Sequence, residues 1–180
     1  MIDEEYIEKK TIDTLNNVKY NDSADYIDVI DVAKKLGFVV GNAGLERDVD
    51  GFILIKEGAD NILGIKTDKL IGVNATQELA WKRFIIAHEI GHYILHYNKQ
   101  KDRGMYAHRD HKKGKDHVEN EADFFAANLL MPRNKFMEKY RQLEQKHLSR
   151  EDMIILLANK FIVTRDMVER RCEELGLIGE

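Results

Sequence analysis

The chain has 180 residues, of which 43% are hydrophobic and 33% are charged, and its formal net charge is −4. This composition is typical of a water-soluble globular protein with one domain, or one domain and a small appendage. It argues against a membrane-spanning segment, because no apolar run approaches about 20 residues, and against a global field that attracts nucleic acid. The single cysteine, Cys172, and an acidic start, MIDEE, lead us to expect a cytoplasmic location.

The N-terminal half is predicted to hold two helices and a small sheet. Residues 3–17 read as a helix, and a polar break at 20–25 separates them from a second helix that Gly37 ends. Four short apolar runs follow, separated by turn residues: 38–40, 52–55, 62–65 and 70–73. This pattern predicts a small sheet with antiparallel hairpins.

A long helix is predicted from about Ala75 to about Tyr97. Asn74 and Gln77 before it have the spacing of a capping box, which opens a helix. The helix carries the stretch AHEIGHYILH, residues 87–96, which sets three histidines and a glutamate among apolar residues. Because the burial of polar groups costs free energy, this stretch indicates either a metal site or an unusual core.

The C-terminal half is predicted to be helical. A loop rich in lysine and arginine, 98–117, leads into a helix over 117–131, and a third helix starts near Arg133. Two further helices, 150–160 and 165–175, have capping residues before them and a glycine after the last: Ser149 with Asp152, Thr164 and Gly176.

The stretch at 87–96 contains the pattern HExxH. Residues four apart lie on one face of a helix, so His88 and His92 can hold one cation between them. Glu89 lies beside this pair and can act as a general base towards metal-activated water. Zinc best suits two imidazole nitrogens, one oxygen and an open fourth position. The alternative interpretation is an amphipathic helix with unrelated histidines.

Several residues could supply the third ligand. Glu119 shares a helix face with Asp123, and a glutamate followed by an aspartate one turn later is the arrangement of gluzincins. In such an arrangement Glu119 would bind the metal and Asp123 would hold the ring N–H of a ligand histidine. Glu121, which points roughly away from Glu119, is the main rival. His96 is less favoured as a ligand, because successive steps of four residues drift by about 40° around a helix. We expect His96 to make a polar contact at the helix end or to support a ligand instead. A metzincin is excluded, since position 98 is asparagine.

Small residues are predicted to let these two helices approach each other. They are Gly91 on the first helix and Ala122 and Ala126 on the second. A glycine inside a helix costs about 1 kcal/mol relative to alanine. Gly91 therefore indicates a steric need at this position.

Three stretches together resemble the ImmA/IrrE family of zinc metallopeptidases. They are RFIIAHEIGHYILH (83–96), ENEADFFAANLLMP (119–132) and LANKFIVTRDMVERRCEELGLI (157–178), and DVAKKLGFVV and DGFILI upstream agree with the N-terminal half of the family. The resemblance covers about residues 25–178. It implies that His88, His92 and Glu119 bind zinc and that Glu89 is the catalytic acid and base.

The resemblance also has implications for the substrate. The best-understood members of the family cleave or inactivate helix-turn-helix repressors, some for mobile elements and others in a stress response, so the expected protein substrate is such a repressor. The chain departs from the family at Asp123, where asparagine is usual. Either side chain can accept a hydrogen bond from a histidine.

These patterns predict an α+β fold, with a small twisted β-sheet packed on a zincin-type active-site helix and a helical C-terminal half. We expect a metallopeptidase domain over 1–142, with 1–24 as an N-terminal extension, and a helix-turn-helix-like segment over 143–180 packed on it or appended to it. The leading hypothesis is a zinc-dependent endopeptidase. The alternative is a metal-bearing regulatory protein that binds a transcription factor or DNA without hydrolysis.

Weaker predictions concern residues outside the metal site. The C-terminal segment could bind DNA if its arginines at 165, 170 and 171 faced phosphate, but neighbouring acidic residues cancel their charge and make this less favoured. We expect the basic loop to be a solvated connection. The group that stabilises the oxyanion is left open among four residues: Tyr106, His108, His111 and His117.

Overall fold

The computed structural model describes residues 2–21, 24–98 and 117–177, together with the backbone of residues 106–111. In these ranges the chain forms helices and a four-stranded mixed sheet, which confirms the predicted α+β class. Within the same ranges, no helix combines the length and apolar character required to cross a bilayer.

The first two helices begin at aspartate caps. Helix α1 spans Glu4–Asn17, and the Asp3 carboxylate before it accepts a hydrogen bond from the backbone N–H of Tyr6 at 3.0 Å. Helix α2 spans Val29–Lys35 and ends before Gly37, whose φ of 90° a residue with a side chain rarely adopts. Both predicted helices are therefore confirmed, although the second begins later than expected.

The sheet has the strand order β1-β3-β2-β4. Its strands are β1 (Val39–Ala43), β2 (Val49–Ile55), β3 (Lys69–Asn74) and β4 (Tyr106–His111). Strand β2 pairs antiparallel with β3 and β4, whereas β1 and β3 are parallel. The expectation of antiparallel hairpins is therefore confirmed for β2 with β3 and wrong for β1, which pairs parallel with β3 across a crossover.

Two further strand predictions need correction. The apolar run 62–65 is a tight turn, in which Ile62 and Ile65 exchange two backbone hydrogen bonds of 2.9 Å. Positive φ angles at Leu63 and Gly64 reverse the chain there, so the run cannot extend into the sheet. Conversely, the connection expected between 98 and 117 contains strand β4.

Helix α3 spans Leu79–Leu95 and begins later than predicted. The Asn74 side chain does not open this helix: its amide donates to the carbonyls of Glu46 and Val49, and its Oδ1 accepts from Thr76. The Gln77 side chain is hydrogen-bonded to Asp50. The predicted capping box is therefore wrong, because both side chains form hydrogen bonds with residues at or just before the start of β2.

The remaining helices agree with the sequence. They are α4 (His117–Leu130), α5 (Arg133–Glu144), α6 (Arg150–Phe161) and α7 (Arg165–Glu174). The Ser149 hydroxyl accepts from the N–H of Asp152 at 3.1 Å, and the Thr164 hydroxyl accepts from the N–H of Met167 at 3.3 Å. Both predicted caps are confirmed.

The hydrophobic core connects the sheet with helices from both halves of the chain. Helix α3 packs against β2, β3 and α4, and side chains of α6 and α7 belong to the same buried cluster. Fully buried members come from every layer: Ile53, Ile90, Phe125, Leu157, Phe161 and Val168. The C-terminal helices are thus packed on the rest of the protein, while the domain boundary at 142 stays a prediction.

Arg83 ties α3 to segments that are distant in sequence. Its guanidinium donates to the carbonyls of Ile27 at 2.8 Å, Phe161 at 3.3 Å and Ile162 at 3.1 Å. Burial lowers the pKa of this guanidinium. These hydrogen bonds compensate for the burial of the charge and fix the N-terminal part of α3.

Arg171 ties α7 to α4. Its guanidinium donates to the Met131 carbonyl at 3.2 Å and to Oδ1 of Asn128 at 2.7 Å, and it pairs with Glu174 at 3.1 Å. Because only 1% of Arg171 is exposed, it cannot face a phosphate backbone. The suggestion that this residue contacts DNA is therefore wrong.

Candidate metal centre

The site lies where α3 and α4 pack closely together. A Cβ atom on Gly91 would lie 3.2 Å from both Cα and the carbonyl oxygen of Ala122, and 3.3 Å from Cβ of Phe125. These separations are shorter than ordinary van der Waals contacts, so the predicted steric need for glycine is confirmed. The close approach brings the histidines of α3 next to the carboxylates of α4.

Three donor atoms from His88, His92 and Glu119 converge at this contact. The two imidazole Nε2 atoms are 2.9 Å apart. The Glu119 carboxylate lies 3.2 Å from Nε2 of His88 and 3.6 Å from Nε2 of His92. Tetrahedral zinc with ligands at 2.0–2.1 Å separates neighbouring ligand atoms by about 3.3 Å. The donor types and their spacing therefore fit such an ion.

The burial of the three residues differs. His88 and His92 are 2% and 0% exposed, whereas the Glu119 side chain keeps 20% of its surface. Burying two imidazoles costs free energy unless their nitrogens have partners. A cation between them would supply that partner on the Nε2 side.

Asp123 supports His88 from behind. Its Oδ1 lies 3.0 Å from Nδ1 of His88, and the residue is 8% exposed. An ionised aspartate accepts but does not donate, so with Asp123 ionised this contact requires the proton on Nδ1 of His88 and leaves the lone pair of Nε2 for the cluster. The structure thus brings Asp123 to the position that the sequence suggested.

The sequence left Glu119 and Glu121 open as the third ligand. In the structure the Glu119 carboxylate approaches both Nε2 atoms, whereas Glu121 lies 3.1 Å from Nε2 of His96. His96 in turn places its Nδ1 3.0 Å from Nδ1 of His92 and stays outside the three-donor cluster. Sequence reasoning did not find the His96–Glu121 contact; the i, i+4 spacing of His92 and His96 could have indicated only that these two histidines are neighbours.

Glu89 follows His88 on α3 and is fully buried, with 0% exposure. Its carboxylate is directed towards β2, where glycine occupies position 51. A carboxylate in such surroundings is costly unless positive charge or hydrogen-bond donors stabilise it. Its location next to a cluster suited to a cation is consistent with that requirement.

The candidates for oxyanion stabilisation are only partly described. The side chains of Tyr106, His108 and His111 lie outside the described part of the structure, as do the side chains of the basic loop residues: Lys99, Lys101, Arg103, Arg109, Lys112, Lys113 and Lys115. The His117 side chain is 56% exposed, and its Nδ1 lies 3.4 Å from Oε1 of Glu121. A role of Tyr106, His108, His111 or His117 at the oxyanion stays a prediction.

Comparison with known proteins agrees with the site. Residues 47–173, well over half of the chain, match the model of the peptidase M78 family, described as the IrrE N-terminal-like domain. No curated protein matches the chain significantly. The family match includes both helices of the three-donor cluster, supports a metallopeptidase and implies a protein substrate. The chain therefore belongs to the peptidase M78 family, as its resemblance to ImmA/IrrE proteins indicated.

Proposed function

We propose that this protein is a zinc-dependent endopeptidase, in which His88, His92 and Glu119 hold the metal and Glu89 is the general base. The observation that carries the proposal is the convergence of three donor atoms within 4.8 Å of one another on two packed helices. Zinc bound there would polarise the carbonyl of a peptide bond and lower the pKa of water.

The residues of the chain have separate tasks in this reaction. Glu89 accepts a proton from the attacking water while the new C–O bond forms at the peptide carbonyl. Glu89 then passes that proton to the amide nitrogen as the C–N bond breaks, so the products are a carboxylic acid and an amine. Asp123 holds His88 in the tautomer that leaves Nε2 available.

The proposed substrate is a helix-turn-helix transcriptional repressor of a mobile element or a stress response. The family match supports a protein substrate in general, and the narrower class follows from the ImmA/IrrE resemblance. The alternative function is that of a metal-bearing regulator that binds a transcription factor or DNA without hydrolysis. The burial of Arg171 makes the DNA version weaker.

The test combines metal content with cleavage. The purified wild-type chain is expected to hold one zinc ion by elemental analysis and to cut a helix-turn-helix repressor encoded beside its gene into two fragments. Glu89→Gln preserves the size of the side chain but cannot accept the proton, so this variant should retain zinc and lose cleavage. Mass spectrometry of the fragments identifies the bond that is cut.

Different results contradict different parts of the proposal. If Glu89→Gln cleaves at the wild-type rate, Glu89 is not the general base. Absence of bound metal after reconstitution with zinc at neutral pH rules out the metal site. A repressor that co-purifies with the wild-type chain and stays whole favours the non-hydrolytic regulator.

A further inference from the structure

Two polar residues beside the metal centre have no part in the function proposed above. His96 lies one turn after His92 at the end of α3, and its side chain is 15% exposed. Glu121 lies on α4 between Glu119 and Asp123, and its side chain is 22% exposed. Both are therefore partly buried at the contact between the two helices that form the site.

The hydrogen bonds of His96 form a connected chain that starts at His92. Nδ1 of His92 and Nδ1 of His96 are 3.0 Å apart, and Nε2 of His96 lies 3.1 Å from Oε2 of Glu121. The other carboxylate oxygen of Glu121 lies 3.4 Å from Nδ1 of His117. This hydrogen-bond chain therefore ends at the Glu121 carboxylate, on α4 beside the metal site.

Metal binding by His92 would fix the positions of the ring protons of His92 and His96. Nε2 of His92 must present its lone pair to the metal, so its proton must be on Nδ1. Nδ1 of His96 must then accept, which places the proton of His96 on Nε2. That N–H has Glu121 as its acceptor, so each donor in the chain meets an acceptor.

We infer that His96 and Glu121 are positioning residues that hold His92 in its metal-binding tautomer and orientation; this inference rests on the proposed zinc site. They do for His92 what Asp123 does directly for His88. Helix α4 thereby supplies the ligand Glu119, the acceptor Asp123 for His88 and the acceptor Glu121 for His96. Partners of this kind orient the ring and increase its basicity towards the metal.

The test measures zinc affinity rather than activity. Zinc is titrated in competition with a chromophoric chelator into the full-length wild type and into His96→Leu, His96→Asn and Glu121→Gln. His96→Leu removes the acceptor for His92 and should weaken zinc binding by about 10- to 100-fold. His96→Asn can place Oδ1 where Nδ1 lies and should recover most of the affinity.

Two further measurements separate positioning from folding. The visible spectrum of the Co²⁺-substituted protein reports ligand geometry, and it should change in His96→Leu and return towards that of the wild type in His96→Asn. Glu121→Gln preserves an acceptor without charge and should weaken binding less than His96→Leu; it also carries the test if His96→Leu does not fold. Exposed Glu138→Gln is the control and should leave affinity unchanged.

The outcomes are distinguishable. If wild type binds no zinc, the proposed metal site itself fails. If wild type binds zinc while both His96→Leu and Glu121→Gln bind it equally tightly and with the wild-type Co²⁺ spectrum, only the positioning role is overturned. The positioning role is also overturned if His96→Leu loses affinity, His96→Asn does not recover it, and both metal-free variants lose stability to the same extent.

Discussion

Gly51 of β2 lies directly against Glu89 of α3. A Cβ atom at position 51 would lie 3.6 Å from Oε1 of Glu89, 3.0 Å from the carbonyl oxygen of Gly72 and only 2.3 Å from Cγ2 of Ile85. The missing side chain thus lets the helix that carries HExxH lie close to the sheet. Glu89 is fully buried at this contact.

Gly51→Ala is expected to push α3 away from the sheet. The overlap with Ile85 should lower the free energy of unfolding by about 1–3 kcal/mol, and the displacement of Glu89 should lower kcat more than zinc affinity. Denaturant unfolding and steady-state cleavage measure the two effects. Gly41→Ala in β1 is the control, because a Cβ there meets no atom within 4 Å; equal stability of the two variants would contradict the packing argument.

Substitutions of Asp123 should distinguish a hydrogen-bond acceptor from a charge. Asp123→Ala leaves Nδ1 of His88 without its acceptor and should weaken zinc binding by about 10- to 100-fold. Asp123→Asn retains an oxygen that can accept, so its loss should stay within about tenfold. Chelator competition gives both affinities. Wild-type affinity in Asp123→Ala would show that this carboxylate does not support the ligand.

Arg171→Met should destabilise the attachment of the C-terminal helices. The change leaves the buried Asn128 side chain and the Met131 carbonyl without their guanidinium donor, which should cost about 2–4 kcal/mol of unfolding free energy. The matched control is Arg170→Met, whose arginine is 58% exposed and should cost less than about 0.5 kcal/mol. Equal effects in denaturant unfolding would refute the role of Arg171.

Cys172 should be unreactive in the folded protein. The thiol is 2% exposed, and burial raises its pKa from 9.0 to about 11, so little thiolate is available at neutral pH. Alkylation by iodoacetamide at pH 8 should be slow until denaturant is added. Rapid alkylation of the native chain, at the rate of a free thiol, would contradict this assignment.

The same shift in the pKa of Cys172 predicts a dependence of stability on pH. The contribution is fully present below about pH 9 and is lost as the pH rises towards 11, because the thiol of the unfolded chain ionises first. Wild type should therefore lose up to about 2–3 kcal/mol of unfolding free energy relative to Cys172→Ala across this range. Parallel curves for the two proteins would disprove the effect.

The sequence predicts those features that depend on neighbouring residues. The caps at Ser149 and Thr164 and the stop at Gly37 are visible because each motif lies within one helical turn. The pairing of His88 with His92 is likewise local, since a spacing of four residues fixes their common face. These predictions required no knowledge of how distant segments pack.

The features that were missed depend on contacts between distant segments. Strand β4 has no apolar run, and its backbone bonds to β2 define it instead. Asn74 has the type and spacing of a helix cap, but its amide is used by Glu46 and Val49. A hydrophobic pattern also does not specify the order of the strands in a sheet, so the parallel pairing of β1 with β3 was not predicted.

The identity of the third metal ligand also depends on contacts between distant segments. Both Glu119 and Glu121 lie near the start of α4, and only the rotation of this helix against α3 selects between them. That rotation depends on the contact of Gly91 with Ala122, which involves residues about 30 positions apart. The contact of His96 with Glu121 follows from the same packing, so periodicity alone could not indicate it.

The hydrogen bonds of Arg83 have a consequence for truncated forms of the protein. This guanidinium takes its acceptors from Ile27 near one end of the chain and from Phe161 and Ile162 near the other. A fragment that stops at residue 142 would keep the whole HExxH stretch but lose two of these three carbonyls. Removal of the C-terminal segment would therefore weaken the anchoring of α3 at Arg83, five residues before His88, without changing any metal ligand.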